Sequence, residues 1–257
     1  MMQLTKRNYF SRRANLEFMS VSQFKSFSQC PHRAIAEIKG KYKREETTSL
    51  LVGSYIDAYF SGELPEFKAA NPEIFKKDGT LKSDYIQAEQ IIERIKRDRK
   101  MMRYLSGSHQ VIMTGVIQGV PVKIKIDSLL PNCIVDQKII KDFENIYDAE
   151  KGRVPWFEYW EYDLQGAVYQ EVVRQNTGRK LPFVIAGATK EKVTDIDLIN
   201  INQNSLDLAF DRFLRDVESY DAMKKGIIPA ERCNKCDYCK ETKKLKGLTD
   251  SDEYYFM

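Results

Sequence analysis

The stretch Lys123-Ile-Lys-Ile-Asp127, followed by Ser-Leu-Leu-Pro-Asn-Cys and then Ile134-Val-Asp136-Gln-Lys138, constrains this chain more than any other. It reads as two neighbouring strands joined at Pro131-Asn132, a dipeptide suited to a tight turn. Residues two apart on a strand share a face, so Asp136 and Lys138 emerge side by side. The turn folds Asp127, at the close of the first strand, back beside Asp136. Two converging carboxylates can hold a hard divalent cation, and a neighbouring lysine can orient or deprotonate a water molecule. Such a set suits phosphodiester hydrolysis. On spacing alone, a surface hairpin with a cross-strand ion pair is the simpler reading, because Asp-x-Lys is a short and common string.

Downstream, Leu164, Val168 and Val172 recur at the spacing of one face of an amphipathic helix. Gln165 and Tyr169 are four apart on a different face, one turn from each other. An amide and a phenol so placed can hydrogen-bond a phosphate or a base, although a polar helix face needs no ligand. The order strand-Asp, strand-Asp-x-Lys, helix with Gln-x-x-x-Tyr resembles the PD-(D/E)XK nuclease superfamily, and within it the RecB-like exonuclease branch. The resemblance implies that Asp127 is the first metal-binding acid, Asp136 and Lys138 the (D/E)-x-K pair, and Gln165 with Tyr169 the Q-x-x-x-Y motif. It implies an α/β fold with a restriction-endonuclease-like core, a mixed central sheet flanked by helices. Relatives often carry a metal-binding histidine on the second helix. Here Leu51-Val-Gly53-Ser-Tyr-Ile-Asp57 offers Asp57, a harder ligand suited to magnesium or manganese. The implied cation site is thus Asp127 and Asp136, helped by Asp57 and the backbone carbonyl of Gln137. Gly53-Ser-Tyr-Ile-Asp57-Ala-Tyr-Phe further resembles a phage and prophage subset related to RecE-type exodeoxyribonucleases, over roughly residues 18–245.

Five cysteines give an independent argument. Cys233-Asn-Lys-Cys236-Asp-Tyr-Cys239 places three thiols close together, and Cys30-Pro31 lies far upstream. The first twenty residues scatter Lys6, Arg7, Arg12 and Arg13 among polar groups, unlike a secretory signal. A cytosolic chain keeps thiols reduced, so the cluster points to a metal rather than disulfides. Spacing alone suits either a [4Fe–4S] cluster or tetrahedral zinc. The resemblance implies the iron–sulfur cluster, held by Cys30, Cys233, Cys236 and Cys239 and joining the N-terminal region to the C-terminal one. Phe18-Met-Ser-Val-Ser22 through Cys30-Pro31 is similar to the opening helix of that branch. Cys133 reads as a small, partly buried filler. His32 and His109 fall outside any ligand pattern and read as structural.

At 257 residues with 42% apolar content the chain can bury one sizeable core. We therefore expect a single domain over 1–257, which the resemblance implies is a nuclease domain with its core at about 83–200, flanked by N-terminal helices over 18–62 and a C-terminal part over 204–245. No uncharged stretch approaches the ~20 residues of a membrane-spanning helix, and a cytoplasmic location is expected, in a bacterial host if phage-encoded. The net charge of +4 is too small to establish a nucleic-acid partner. Its distribution says more: Arg94, Lys96, Arg97, Arg99, Lys100 and Arg103 fall on one predicted helix and can track a phosphate backbone. A solvated helix face explains the same stripe.

The pattern predicts helices near 20–39, 48–60, 83–105, 163–177 and 204–225, with an irregular segment over 61–80. Strands are expected at 110–117, 120–127, 133–140 and 181–190. The aromatic-rich segment 141–162 either covers a core edge or stacks unpaired bases. Taken with the resemblance, these elements describe a metal-dependent DNA exonuclease of phage or prophage recombination. Its expected partners are DNA and, beyond it, a single-strand annealing protein or further copies of the chain. Two rivals stay open: a cluster-stapled DNA-binding protein without turnover, and a zinc-bearing interaction module.

Overall fold

Every residue of the strand Phe183–Thr189 is buried, so the sheet around it must be covered on both faces. The computed structural model, which describes residues 2–45, 47–245, 247, 248 and 250–252, shows how. The chain opens with α1 (Arg12–Glu17), α2 (Val21–Gln29), α3 (Pro31–Ile38), α4 (Thr48–Phe60), α5 (Leu64–Ala70), α6 (Ser83–Lys96) and α7 (Arg99–Tyr104). Strands β1 (Ser108–Ile117), β2 (Val120–Leu130) and β3 (Cys133–Ile140) follow, then the small hairpin of β4 (Ile146–Asp148) and β5 (Gly152–Val154). Helices α8 (Trp156–Tyr159) and α9 (Tyr162–Thr177) lead to β6 (Phe183–Thr189), β7 (Ile196–Asn200), α10 (Gln203–Lys225) and α11 (Asp237–Glu241).

The main sheet has the order β1-β2-β3-β6-β7. β3 and β6 run parallel while the other neighbours are antiparallel, because α9 carries the chain back between them, the crossover that parallel strands require. The pleat of β6 divides the interior in two. Phe183 and Ile185 join a cluster with Phe24, Val168 and Phe213 from α2, α9 and α10. Val184, Ala186 and Ala188 face the other way, toward Tyr55, Ile91 and Ile92 of α4 and α6. Gly166 lets α9 lie against the sheet, since a Cβ there would stand 2.5 Å from the Phe183 ring. The mixed sheet flanked by helices is the α/β architecture expected.

Several boundaries differ from expectation, each for a local reason. The helix expected over 20–39 is two helices. Cys30 is extended (φ −165°, ψ 101°), ending α2, while its Sγ accepts the Arg33 N–H and caps α3. Pro31 then takes the first turn, where its missing donor costs nothing. The basic helix expected over 83–105 breaks at Asp98, whose carboxylate caps α7 through Met101 N at 2.8 Å. The segment 61–80, expected to be irregular, contains α5, because Leu64 and Phe67 find cover against the second cluster, Phe67 edge-on to Tyr55. Strand β2 runs on to Leu130, so Asp127 lies within it rather than at its end. β7, absent from the sequence reading, is a half-exposed edge strand with too little alternation to announce itself. No described helix is long and apolar enough to cross a membrane.

Candidate active site and metal centre

The β2–β3 ladder holds for three pairs only, Leu130↔Cys133, Leu129↔Ile134 and Ser128↔Val135. The next pair in that register would be Asp127 opposite Asp136. Two like charges set directly across a ladder repel, and the strands part there. In place of a ladder bond, Asp127 Oδ2 accepts the main-chain N–H of Gln137 at 2.9 Å. Asp136 is buried, with Oδ2 2.5 Å from Lys138 Nζ and Oδ1 accepting from Gln165 Nε2 at 2.6 Å. The Lys138 ammonium also lies over the Tyr162 ring, 4.7 Å from its centroid. The short hairpin turn, the two-residue strand period and the first turn of α9 are therefore what bring these groups together.

The electrostatics follow from crowding. Burial pushes the Asp127 carboxyl well above the usual range, and the neighbouring Asp136 and Asp57 carboxylates push it further. Burial likewise raises Asp57, with Asp136 adding to it against the pull of Lys125. Burial alone would lower Lys138, but Asp136 and Asp127 beside it win and hold it protonated. A protonated lysine suits orienting a water or offsetting phosphate charge rather than abstracting a proton. Hard oxygen donors whose charges repel one another match a divalent cation, whose binding relieves that repulsion.

Tyr169 is buried, and its hydroxyl donates to the Lys125 carbonyl at 3.0 Å. Gln165 therefore orients Asp136, and Tyr169 ties α9 to β2. Asp127 and Lys138 sit where two cavities meet. One, of about 540 Å³, is also lined by Asp136, Gln165, Lys25, Arg44 and Lys125. The other, of about 740 Å³, is also lined by Asp57, Gln137, Tyr162 and Trp160. Exposed Phe10 flanks the first cavity and exposed Trp160 the second. Lys25 Nζ donates to the Trp160 carbonyl at 2.7 Å, and burial lowers its pKa to about 8.

Sequence reading missed Lys25, Arg44 and Lys125 in this cavity. Only Lys125 left a signal, being two residues from Asp127 on the same strand face. It also missed Gln110, whose amide donates to both oxygens of Asp57 at 3.1 and 3.3 Å. The six cations of the basic stripe line neither cavity. Lys100 and Arg103 instead line a separate cleft of about 490 Å³ at the Pro131-Asn132 turn, and Lys96 pairs with Glu93 at 2.6 Å. Arg94 is half-buried, while Arg97 and Arg99 are exposed.

Among the described residues, Cys30, Cys233, Cys236 and Cys239 form the one group of three or more such ligands gathered this tightly, their sulfurs all within 4.8 Å. Cys30 and Cys239 are 3.6 Å apart and Cys233 and Cys239 4.0 Å. The C-x-x-C turn uses Asn234 at φ 58°, a left-handed conformation that asparagine tolerates. The Cys236 N–H donates to Cys233 Sγ at 3.3 Å, the largest influence among several hydrogen bonds that lower that thiol to about 6, while burial raises Cys30 and pushes Cys236 up to about 12. The close convergence of the four sulfurs fits a bound metal. A single ion holding four thiolates at about 2.3 Å spaces them by about 3.8 Å, near the observed separations. His32 stacks on Tyr238 beside this group and lies 3.0 Å from Arg232 Nη1. His109 Nδ1 lies 3.3 Å from the Asp127 carbonyl oxygen, and Cys133 is fully buried in the second core cluster.

Antiparallel and parallel strands splayed around two aspartates and a lysine, with a crossover helix supplying a glutamine, define a PD-(D/E)XK-type domain. The chain belongs to the family described as PDDEXK-like domain of unknown function (DUF3799), which matches residues 20–242. It is similar to a protein from Eubacterium rectale, provisionally described as an exonuclease, at 44% identity. That crystal structure matches with a TM-score of 0.95 over 99% of this chain and 98% of the other. No curated protein matches the chain.

Proposed function

We propose that this chain is a divalent-metal-dependent DNA exonuclease acting as one nuclease domain. The observation that carries the reading is the meeting of Asp127, Asp136 and Lys138 where the β2–β3 ladder parts beside two cavities. The PDDEXK-like family and the provisional exonuclease description of the similar protein support it. Asp127 and Asp136, with Asp57 and the Gln137 carbonyl, would hold Mg²⁺ or Mn²⁺. Such a cation supplies Lewis acidity and offsets the charge that builds on a phosphate in the transition state.

The chain's own groups do the rest. Lys138, kept protonated by its two carboxylate neighbours, orients the attacking water and adds positive charge. Gln165 fixes the Asp136 carboxylate through Oδ1. Lys25 and Lys125 give the first cavity positive charge toward a phosphodiester strand, while Arg44 there is paired with Glu37 at 2.5 Å. Phe10 and Trp160 offer exposed rings on either side for unpaired bases. The Arg94–Arg103 stripe serves as a more distant backbone contact. The finer placement, in phage or prophage recombination beside a single-strand annealing partner, rests on the RecE-type resemblance. The four cysteines hold a structural metal, which the resemblance implies is a [4Fe–4S] cluster. The sulfur spacing favours a second reading, one tetrahedral zinc.

Digestion of DNA labelled at either end, with Mg²⁺ or Mn²⁺ and with a Lys138→Ala control, tests the proposal. Stepwise release of label by the wild type and none by the variant is expected. DNA that is bound but never cut would favour the binding-protein rival.

A further inference from the structure

One residue beside the acids breaks a rule of strand geometry. The β1–β2 register runs His109↔Ser128, then Val111↔Ile126. Gln110, the residue that register sets against Asp127, has left the ladder with φ 53°. A left-handed conformation is strained for any residue with a side chain, and glycine is the usual occupant. What sets this glutamine apart is the use its side chain finds. That side chain is buried, 4% exposed. Its Nε2 donates to both oxygens of Asp57, while its Oε1 is buried without a hydrogen-bond partner. Asp57 thus receives all the hydrogen bonding the amide gives. Carboxylates accept and do not donate, so the chemistry fixes which end of the amide faces Asp57.

We propose that Gln110 is a positioning residue that holds the Asp57 carboxylate toward the cation site, its backbone strain being the cost of aiming the amide across from β1 to α4. Outer hydrogen bonds of this kind orient a ligand and commonly change metal affinity by ten- to a hundredfold when removed. The inference rests on reading Asp57 as a metal ligand. Mn²⁺ titration by calorimetry on the full chain tests it, comparing wild type with Gln110→Met, Asp57→Asn, their double variant and Asp127→Asn, with Tm recorded for each. Gln110→Met keeps the volume and loses the bond, and should weaken Mn²⁺ by about tenfold or more. Added to Asp57→Asn it should cause no further loss, since its effect runs through that carboxylate. A purely structural glutamine would lower Tm in both backgrounds and leave Mn²⁺ affinity alone, which overturns the proposal, as does a loss that multiplies in the double variant. Should Gln110→Met fail to fold, Gln110→Asn, which tolerates the left-handed backbone but falls short of Asp57, carries the same expectation. Wild-type Mn²⁺ affinity in Asp127→Asn would overturn instead the cation reading itself.

Discussion

Asp127 Oδ2 accepts the main-chain N–H of Gln137 at 2.9 Å, so a side chain stands in for the ladder bond that β2 would otherwise make with β3. The two strands can therefore part without orphaning that donor, and the gap becomes the site. Asp127→Asn keeps an acceptor for Gln137 and removes only the charge. The variant should fold, and label release with Mn²⁺ should fall on the order of a hundredfold or more, the usual loss when a preorganised electrostatic group is removed. Turnover within a few-fold of wild type would sink the assignment of this acid.

The raised pKa values of Asp57 and Asp127, each due first to burial, give a pH dependence with a definite sign. Such groups bind more protons folded than unfolded. The stability they contribute is present at low pH and is lost as pH rises from the unfolded value, about 3.9, through the raised ones. In chelator, Asp127→Asn should gain on the wild type in Tm as pH climbs through that window. A divalent cation competes with the same protons, so its stabilisation of the wild type should grow over the same range. Melts at a series of pH values, with EDTA or Mn²⁺, check both. Parallel wild-type and variant curves in EDTA would contradict the electrostatics described.

Gly166 holds α9 close against the sheet. A Cβ there would stand 2.5 Å from Phe183 and 2.9 Å from Leu206. Gly166→Ala should cost about 1–3 kcal/mol through overpacking, read as a drop in Tm. Lifting α9 also draws the adjacent Gln165 off Asp136, so activity should fall as well. Gln165→Ala removes the hydrogen bond to Asp136 without lifting the helix: it should slow turnover by about tenfold, and it should also cost about 1–3 kcal/mol because the buried Asp136 Oδ1 loses its donor. An unchanged Tm in Gly166→Ala would show that the helix is not held by this contact.

Cys30 and Cys239 meet across a sequence separation of 209 residues, so any metal between them closes almost the whole chain. Cys30→Ser should lose the bound metal and about 2 kcal/mol or more of stability, several degrees in Tm for a chain of this size. Metal analysis of anaerobically purified wild type names the occupant: brown protein with iron for a cluster, colourless protein with one zinc for a single ion. Wild type carrying neither metal would refute the structural role.

The parts of the fold legible in the sequence were those written in short-range periodicity. The Pro131-Asn132 turn, the α4 boundaries and the Gly178 stop of α9 all follow from patterns a few residues long. Helix α5 and strand β7 were not legible, because Leu64 and Phe67 gain their cover from α4, and β7 gains its partners from β6. The break at Asp98 was legible in principle, as an aspartate three residues before Met101, but the run of cations around it suggested one continuous helix.

The same division holds at the site. Local spacing by itself put Asp136 beside Lys138, Gln165 beside Tyr169, and Cys233, Cys236 and Cys239 close together, since a strand period of two and a helix period of 3.6 are properties of adjacent residues. Reading them as a site took the family resemblance as well. Tertiary packing alone decided that the basic stripe lies apart from the acids, that Lys25 and Arg44 line the same cavity as Asp127 and Asp136, and that Gln110 of β1 reaches Asp57 of α4. Those relations join segments dozens to more than a hundred residues apart. They depend on how the sheet buries its two faces, which no short-range pattern encodes.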